Sequence, residues 1–292
     1  MLIGLEAGDA RVTAVSVDPN GATLARTTVV GTDLAPAARA AILELRGASG
    51  APATVGVTAF SPEAVAALPA AIGRDGLAVR PGVVSSGGAA AVAEHWVGAA
   101  SGKRDAVYFG IAEHAIGGVI RNGALLEGSR GRAASVAWLA LNPVEREDYR
   151  KVGCLEAEVA AAGIVRRLVW RIKAGDRSQV QDAVGDNLGA ITVDQVLGAA
   201  RNGDGVSISV VRDTAKYLGM AAANLVIVAD PEVLVLGGIM ATAADLLFDA
   251  VRAEVTRRLP KPMMDELTIA PAALGADAPA IGAARLAAAA VQ

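Results

Sequence analysis

The stretch of this sequence best suited to chemistry is an apolar run, Val233-Leu234-Val235-Leu236, that ends in Gly237-Gly238, with a helical pattern resuming at Ala243 and continuing through Leu246, Leu247 and Val251. This reads as a buried strand, a glycine turn and a helix. Paired glycines let another group approach the backbone, and a following helix offers free N–H groups and a positive dipole end. The unit is suited to seating a nucleotide, and equally to being a tight turn with no ligand, because a lone Gly-Gly is not specific. Thiol and metal chemistry are restricted from the outset. One cysteine excludes an internal disulfide, and one cysteine with two histidines excludes a Cys/His zinc cluster.

Composition narrows the class of molecule. The 292 residues can bury a large core and predict two domains. A hydrophobic fraction of 53% without an apolar run of 18 residues predicts an Ala-packed globule and no membrane association. No charged segment followed by an apolar one opens the sequence, so no signal peptide is expected and the cytoplasm is the default compartment. The net charge is −3 with Lys and Arg scattered, which gives nucleic acid no basic stripe to follow.

The elements that must position the chemistry follow in order. Residues 1–17 read as strand, turn, strand, and Pro19-Asn20-Gly21 turns into a third strand, Ala22–Val30. A helix is predicted at Leu34–Arg46, a core strand at Ala53–Ala59, and a helix at Ala64–Ile72 behind a Ser61-Pro62-Glu63 start signal. Val79–Val84 reads as a strand and Gly88–Ala99 as an Ala-rich helix carrying Glu94 and His95. The pattern then restarts. Strands at Asp105–Ile111 and Gly117–Ile120 lead into an Arg121-Asn122-Gly123-Ala124 hairpin turn. Long helices are predicted at Leu155–Lys173 and Asp204–Val226, a strand at Leu267–Pro271 and a last helix at Ala280–Val291. A duplicated α/β domain with a cleft between its halves is the economical inference, with a polar join at Ser101-Gly102-Lys103-Arg104.

Several of these segments resemble the ROK family (repressors, open reading frames and sugar kinases) of the actin-like and hexokinase-like ATPase superfamily. Residues 117–128 resemble its glycine-rich second phosphate hairpin, and Gly153-Cys154-Leu155-Glu156 the end of its cysteine motif. Asp230 to Gly238 resembles its adenosine motif, and residues 274–284 its C-terminal signature. The resemblance implies a duplicated actin-like, hexokinase-like (ribonuclease H-like) α/β fold of two domains around a central cleft. The first domain is expected at 1–104, completed by a helix at 280–292, and the second at 105–279. Residues implied to face a nucleotide are Glu6, Gly8, Gly117, Gly118, Gly237 and Gly238. Those implied to face a sugar-like substrate are Ser85, Ser86, Ser135, Trp138 and Glu156.

The sequence departs from the family where the family does its work. Phosphoryl transfer to a hydroxyl needs a base, a charge cradle for phosphates and a metal. The family's Asn-Asp pair, which carries the base, falls on Ser85-Ser86, and a serine cannot take the proton at neutral pH without a base of its own. Ser85-Ser86-Gly87-Gly88 also reads as a plain loop with a helix cap. The first phosphate hairpin reads Glu6-Ala7-Gly8-Asp9-Ala10-Arg11, which places Asp9 where backbone should meet polyphosphate and Ala10 where a hydroxyl should donate. Glu6 retains a carboxylate that could hold a metal through water. In the second hairpin Ala112-Glu113-His114 replaces Gly-Thr-Gly, although His114 also reads as a surface histidine. The sugar-binding Glu and His fall on Ser135 and Trp138, and Trp138 is as readily a core residue. Of the zinc motif only Cys154 is left, so no zinc is expected. Glu156 keeps its family place, and it is also an ordinary first-turn glutamate.

Three functions are weighed, the third being a transcription regulator of the ROK type. One is a non-catalytic pseudokinase that binds a sugar-like molecule, a nucleotide or a partner. The alternative is an ATP-dependent hexose or amino-sugar kinase with atypical catalytic residues, which would need ATP and Mg²⁺. A homodimer is implied by the resemblance. Direct DNA binding is not expected, because the first ATPase-like strand begins at Leu2 and leaves no preceding helix-turn-helix.

Overall fold

A computed structural model of the chain describes residues 1–47, 53–73, 77–185 and 187–289. Its first sheet follows from the alternating apolar residues at the start of the chain. β1 (Leu2–Ala7) pairs antiparallel with β2 (Arg11–Val17), from Leu2 opposite Val17 to Ala7 opposite Val12. The turn between them closes where the Gly8 N–H donates to Arg11 O at 2.9 Å. β3 (Thr23–Val30) adds antiparallel to β2, and β4 (Thr54–Ala59) adds parallel to β1 after α1 (Leu34–Arg46), whose Asp33 carboxylate caps its first turn. The order is β3-β2-β1-β4-β5, with β5 (Ala78–Val79) and β6 (Val84–Ser85) each pairing β4. α2 (Leu68–Gly73) precedes these, and α3 (Ser86–Val97) follows them. Ile3, Leu5, Val55, Val57, Ile42 and Ile72 form the core of this layer.

The second sheet has the order β11-β10-β7-β8-β9. Its strands are β7 (Ala106–Ile111), β8 (Ala115–Arg121), β9 (Ala124–Leu125), β10 (Val233–Gly238) and β11 (Thr268–Pro271). Asn122 and Gly123 take positive φ between β8 and β9, the two-residue hairpin turn that Asn-Gly favours. Helices α4 (Glu147–Val152), α5 (Cys154–Val159), α6 (Ala161–Lys173), α7 (Gln179–Val184), α8 (Val193–Arg201) and α9 (Gly205–Ala229) come between β9 and β10. α10 (Ile239–Thr242), α11 (Ala244–Arg258) and α12 (Lys261–Glu266) follow β10, and α13 (Ala278–Ala289) ends the described chain. The fold is mixed α/β with two sheets.

The chain forms two compact units. One comprises Met1–Tyr108, Gly117–Ala134 and Ala272–Gln292, the other Phe109–Ile116 and Ser135–Pro271. This differs from a single cut at residue 104 with a returning segment at 280. The β8–β9 hairpin belongs with the first unit because its glycines rest on α3: a Cβ on Gly87 would overlap the Gly117 backbone, and one on Gly118 the Gly87 carbonyl. The return begins at Ala272 because the fully buried Glu94 holds it. The Glu94 carboxylate accepts the Ala273 and Leu274 N–H groups at 3.2 and 2.9 Å, and that of Ala99 at 2.7 Å. Residues 290–292 of the predicted last helix lie outside the described residues.

α13 packs on β1, β4 and α3 in the first unit, and the contact is made by backbone. A Cβ on Gly4 would overlap the Ala280 carbonyl, one on Gly56 that of Ala283, and one on Gly282 that of Ala89. In the second unit α9 packs on α11, α6, α8 and α5. Its N-cap, Asp204, accepts from the Ser207 and Gln179 N–H groups and the Ser178 hydroxyl at 2.9, 3.0 and 2.9 Å.

Other boundaries moved for local reasons. Residues 62–67 are turns, and α2 starts only at Leu68. Pro69 has no N–H to donate to Val65, so one continuous helix from Ala64 is broken. Pro81-Gly82, with Gly82 at φ +97°, splits the strand predicted at Val79–Val84 into β5 and β6. The predicted helix 155–173 breaks at the extended residue Ala160 into α5 and α6, where a Cβ on Gly163 would overlap the Ala157 carbonyl.

Two glycines separate packing from propensity. Gly282→Val should cost about 3 kcal/mol or more in urea unfolding, since α13 and α3 must move apart. Gly198→Ala, in α8 with open space at its Cβ, should stabilise by up to about 1 kcal/mol. Equal effects of the two would contradict this packing.

Asp204 gives a pH test. Burial pushes its carboxyl up, but the hydrogen bonds from Ser207, Gln179 and Ser178 outweigh burial and hold its pKa below the usual aspartate value. The stabilisation is therefore present above the unfolded-state pKa and lost as pH falls through the lower folded value. Asp204→Asn should cost about 1 kcal/mol at pH 7 and progressively less below about pH 4; a cost independent of pH would contradict it.

Candidate functional site

In the first unit, strand register gathers one group of the sequence-predicted residues. Glu6 stands opposite Thr58 on β4, and Thr58 opposite Val84 on β6. Ala7, Ala59 and Ser85 form the next row. Glu6, Gly8, Ser85 and Ser86 thus meet at the carboxyl ends of parallel strands, where open α/β sheets bind ligands. The Thr58 hydroxyl donates to Val84 O at 2.8 Å and pins β6 there. Ser85 is the N-cap of α3, its Oγ accepting the Gly88 N–H at 3.1 Å. Ser86 begins the helix, 2% exposed, and its Oγ has no hydrogen-bond partner among the described residues.

Gly117 and Gly118 lie against α3. The missing side chains of Gly87 and Gly118 let the hairpin backbone, including Gly117, approach α3 closely. Tyr108, on the neighbouring β7, is buried, and burial, with smaller contributions from Glu94 and Glu6, raises its pKa well above the usual range.

In the second unit the turn Ala112-Glu113-His114 closes with the Ala112 N–H donating to His114 O at 3.0 Å. His114 is not a free surface residue. Its Nδ1 lies 2.8 Å from Oε1 of Glu156, the distance of an N–H donating to a carboxylate, and the Ala115 N–H donates to Oε2 at 3.0 Å. Both oxygens of the buried Glu156 are therefore engaged with the β7–β8 hairpin. The 3-10 turn Val136–Trp138 packs on α5, and a Cβ on Gly153 would overlap the Ala137 carbonyl. Ser135, Trp138 and Glu156 are thereby placed on adjacent elements. Trp138 is 56% exposed and is not a core residue.

The predicted strand, glycine turn and helix are observed as β10, the one-turn α10 and α11, the long helix starting at Ala244 beside the predicted Ala243. Gly238 has φ +60°, and its missing side chain makes room for the Ile111 carbonyl of the chain itself. The helix that follows at once, α10, has four residues, and α11 starts at Ala244.

One cluster in this unit went unread in the sequence. Glu158, two residues beyond Glu156 and so on another face of α5, accepts from the Tyr149 hydroxyl and pairs with Arg146 at 3.0 Å. Burial and the Glu158 contact push the Tyr149 hydroxyl up to about 12. Arg146 also lies over the rings of Tyr149 and Trp170 at 4.9 and 4.8 Å. The one signal was a second glutamate in a short helix of mostly apolar residues. Cys154 is buried, and no three His, Cys, Asp or Glu side chains among the described residues gather to hold a metal ion.

A mixed α/β fold with two sheets and a capped helix at the carboxyl ends of β1, β4 and β6 defines the class, an actin-like and hexokinase-like fold. The chain matches the model of the ROK family over residues 85–290 and belongs to that family. It is 31% identical over 195 residues to a glucokinase of Halalkalibacterium halodurans, covering 66% of this chain and 59% of that one. It is 26% identical over 180 residues to an N-acetylglucosamine repressor of Escherichia coli O157:H7, covering 61% of this chain and 43% of the repressor. The chain thus spans about three-fifths or less of these relatives. Over 99% of both chains it superposes with TM-score 0.84 and 24% identity on a ROK family glucokinase from Streptomyces griseus, crystallised with glucose and AMPPNP. No helix among the described residues is long and apolar enough to cross a membrane.

The His114–Glu156 tether is testable. His114→Ala leaves Oε1 of a buried carboxylate without its imidazole partner and should cost about 1–3 kcal/mol, with His114→Gln recovering part of it. A neutral His114→Ala would show that the hairpin does not depend on the pair.

Proposed function

We propose that this ROK-family protein binds a sugar-like small molecule at the carboxyl ends of β1, β4 and β6 and does not transfer phosphate to it. The observation that carries this is Ser86. Its hydroxyl is buried and unpaired, at the position the family resemblance assigns to the catalytic base. An unsatisfied buried hydroxyl costs about 1–3 kcal/mol. A ligand hydroxyl would satisfy it, so the group suits binding. As a base it fails, because a serine takes a proton only with help, and no described carboxylate or imidazole bonds to it.

Two further features support the reading. Glu156, the one sugar-binding carboxylate left in its family place, has both oxygens committed to His114 and Ala115. The first hairpin places Asp9 and Ala10 where the family resemblance expects close backbone approach and a hydroxyl donor to phosphate, which favours a ligand other than a polyphosphate. Cys154 alone does not fit zinc. Loss of a base typically costs about 10²–10⁴ in rate, and the hairpins add a binding loss.

The alternative, an ATP-dependent sugar kinase with atypical catalytic residues, draws on the 31% identity to a glucokinase. The relatives include repressors as well as kinases, so kinship leaves DNA binding open in either direction.

Thermal shift with a panel of hexoses and amino sugars, beside a coupled ADP-release assay with Mg-ATP, separates the readings. At least one sugar should raise the melting temperature with no turnover above background. Ser86→Ala should leave the free protein as stable or more so, while shrinking the sugar-induced shift. Robust phosphorylation of any hexose, lost on Ser86→Ala or Glu6→Ala, would overturn the proposal in favour of the kinase.

A further inference from the structure

At the far end of α3 from Ser86, about 15 Å along the helix, the first unit contains a cavity of about 420 Å³. That lies within the range of small-molecule sites. Val92, His95 and Trp96 of α3, at spacing i, i+3 and i+4, line one wall. Leu286 of α13 with Ile120 and Leu125 of the β8–β9 hairpin extend the apolar surface.

Charge in the cavity is one-sided. No Asp or Glu lines it, and Arg285 is the charged side chain on its wall. The Arg285 guanidinium lies 5.0 Å above the Trp96 ring, a stacking that holds its fork of donors in place. Among the described residues it forms no ion pair. The nearest acid on α3, Glu94, is turned away and spent on the N–H groups of Ala99, Ala273 and Leu274. His95 is fixed at the wall, its Nε2 2.8 Å from Lys103 O.

We propose that this cavity is a second ligand site, separate from the one at Ser86, for a small organic oxyanion: a phosphate ester or carboxylate carried on an apolar ring. Arg285 pairs with the oxyanion, bidentate as guanidinium prefers. Trp96 and the apolar wall take the body. The site stands on its own residues and does not rest on the fate of phosphotransfer.

Isothermal titration of the full chain with phenyl phosphate tests it, with benzoate, phenol and inorganic phosphate as comparison probes. A molecule of this size should bind with a dissociation constant on the order of 1 mM. Phenol and inorganic phosphate should each bind at least about tenfold more weakly, since each keeps half of the recognition; the ratio of phenyl phosphate to benzoate tells which oxyanion the site prefers. Arg285→Met, at an exposed position, should weaken phenyl phosphate about tenfold or more with the melting temperature unchanged. Ala124→Trp, which fills the cavity from the exposed hairpin, should abolish binding. No heat with phenyl phosphate up to about 10 mM, or equal binding by the wild type and both variants, would overturn the proposal. Equal binding would place the anion elsewhere.

Discussion

Backbone pressed on backbone is the constraint from which the first unit follows. Gly4 and Gly56 let α13 lie directly on β1 and β4, Gly282 lets α3 lie on α13, and Gly87 with Gly117 and Gly118 lets the β8–β9 hairpin lie on α3. Each contact removes the side chain that would normally hold two elements apart. The series runs from the sheet through both helices to the hairpin, so none of the four can move alone. Ala-rich helices with three Phe in 292 residues are what such close approach requires. Glu94 then locks the return of the chain by accepting three backbone N–H groups in the interior, a satisfied buried charge where an unsatisfied one would be costly.

That scaffold explains what happens at Ser85 and Ser86. The start of α3 is fixed by the Gly87 contact and the Ser85 cap, and the first-turn residue Ser86 is thereby buried with its hydroxyl unspent. In the second unit the corresponding economy runs the other way. Glu156, a candidate for ligand contact by motif alone, is held by His114 and the hairpin backbone, one bond on each oxygen. Polar groups that read alike in a motif are separated by what their neighbours already bond. The first unit presents an unpaired hydroxyl, the second a carboxylate bonded at both oxygens.

Much of this was legible in the sequence, for physical reasons that can be named. Apolar alternation and glycine turns located β1, β2, β4, β7 and β10, and Asn122-Gly123 specified the hairpin. The long helix expected at Asp204–Val226 is α9, with Asp204 as its cap. The family motifs of the second half led to the family itself. What stayed hidden depends on contacts between residues far apart in the chain. Nothing in Gly117-Gly118 says that Gly118 faces a helix, and nothing in Gly237-Gly238 says that the Ile111 carbonyl fills the space left at Gly238. The short helix α10, the break at Ala160 and the pairing of His114 with Glu156 are decided in the same way. The cavity beside Arg285 joins α3, the β8–β9 hairpin and α13, which no local window contains.

On the proposed reading, the buried, unpaired Ser86 hydroxyl stands where the family resemblance places a proton acceptor, so that binding outlives chemistry. Single-turnover kinetics test it most directly, because enzyme in excess over γ-labelled Mg-ATP, with a binding hexose present, reveals even one slow transfer that steady-state assays miss. On this reading no sugar phosphate above the enzyme-free control is expected over hours. Sugar phosphate formed in one turnover, and lost when Ser86 is changed to alanine, would contradict it.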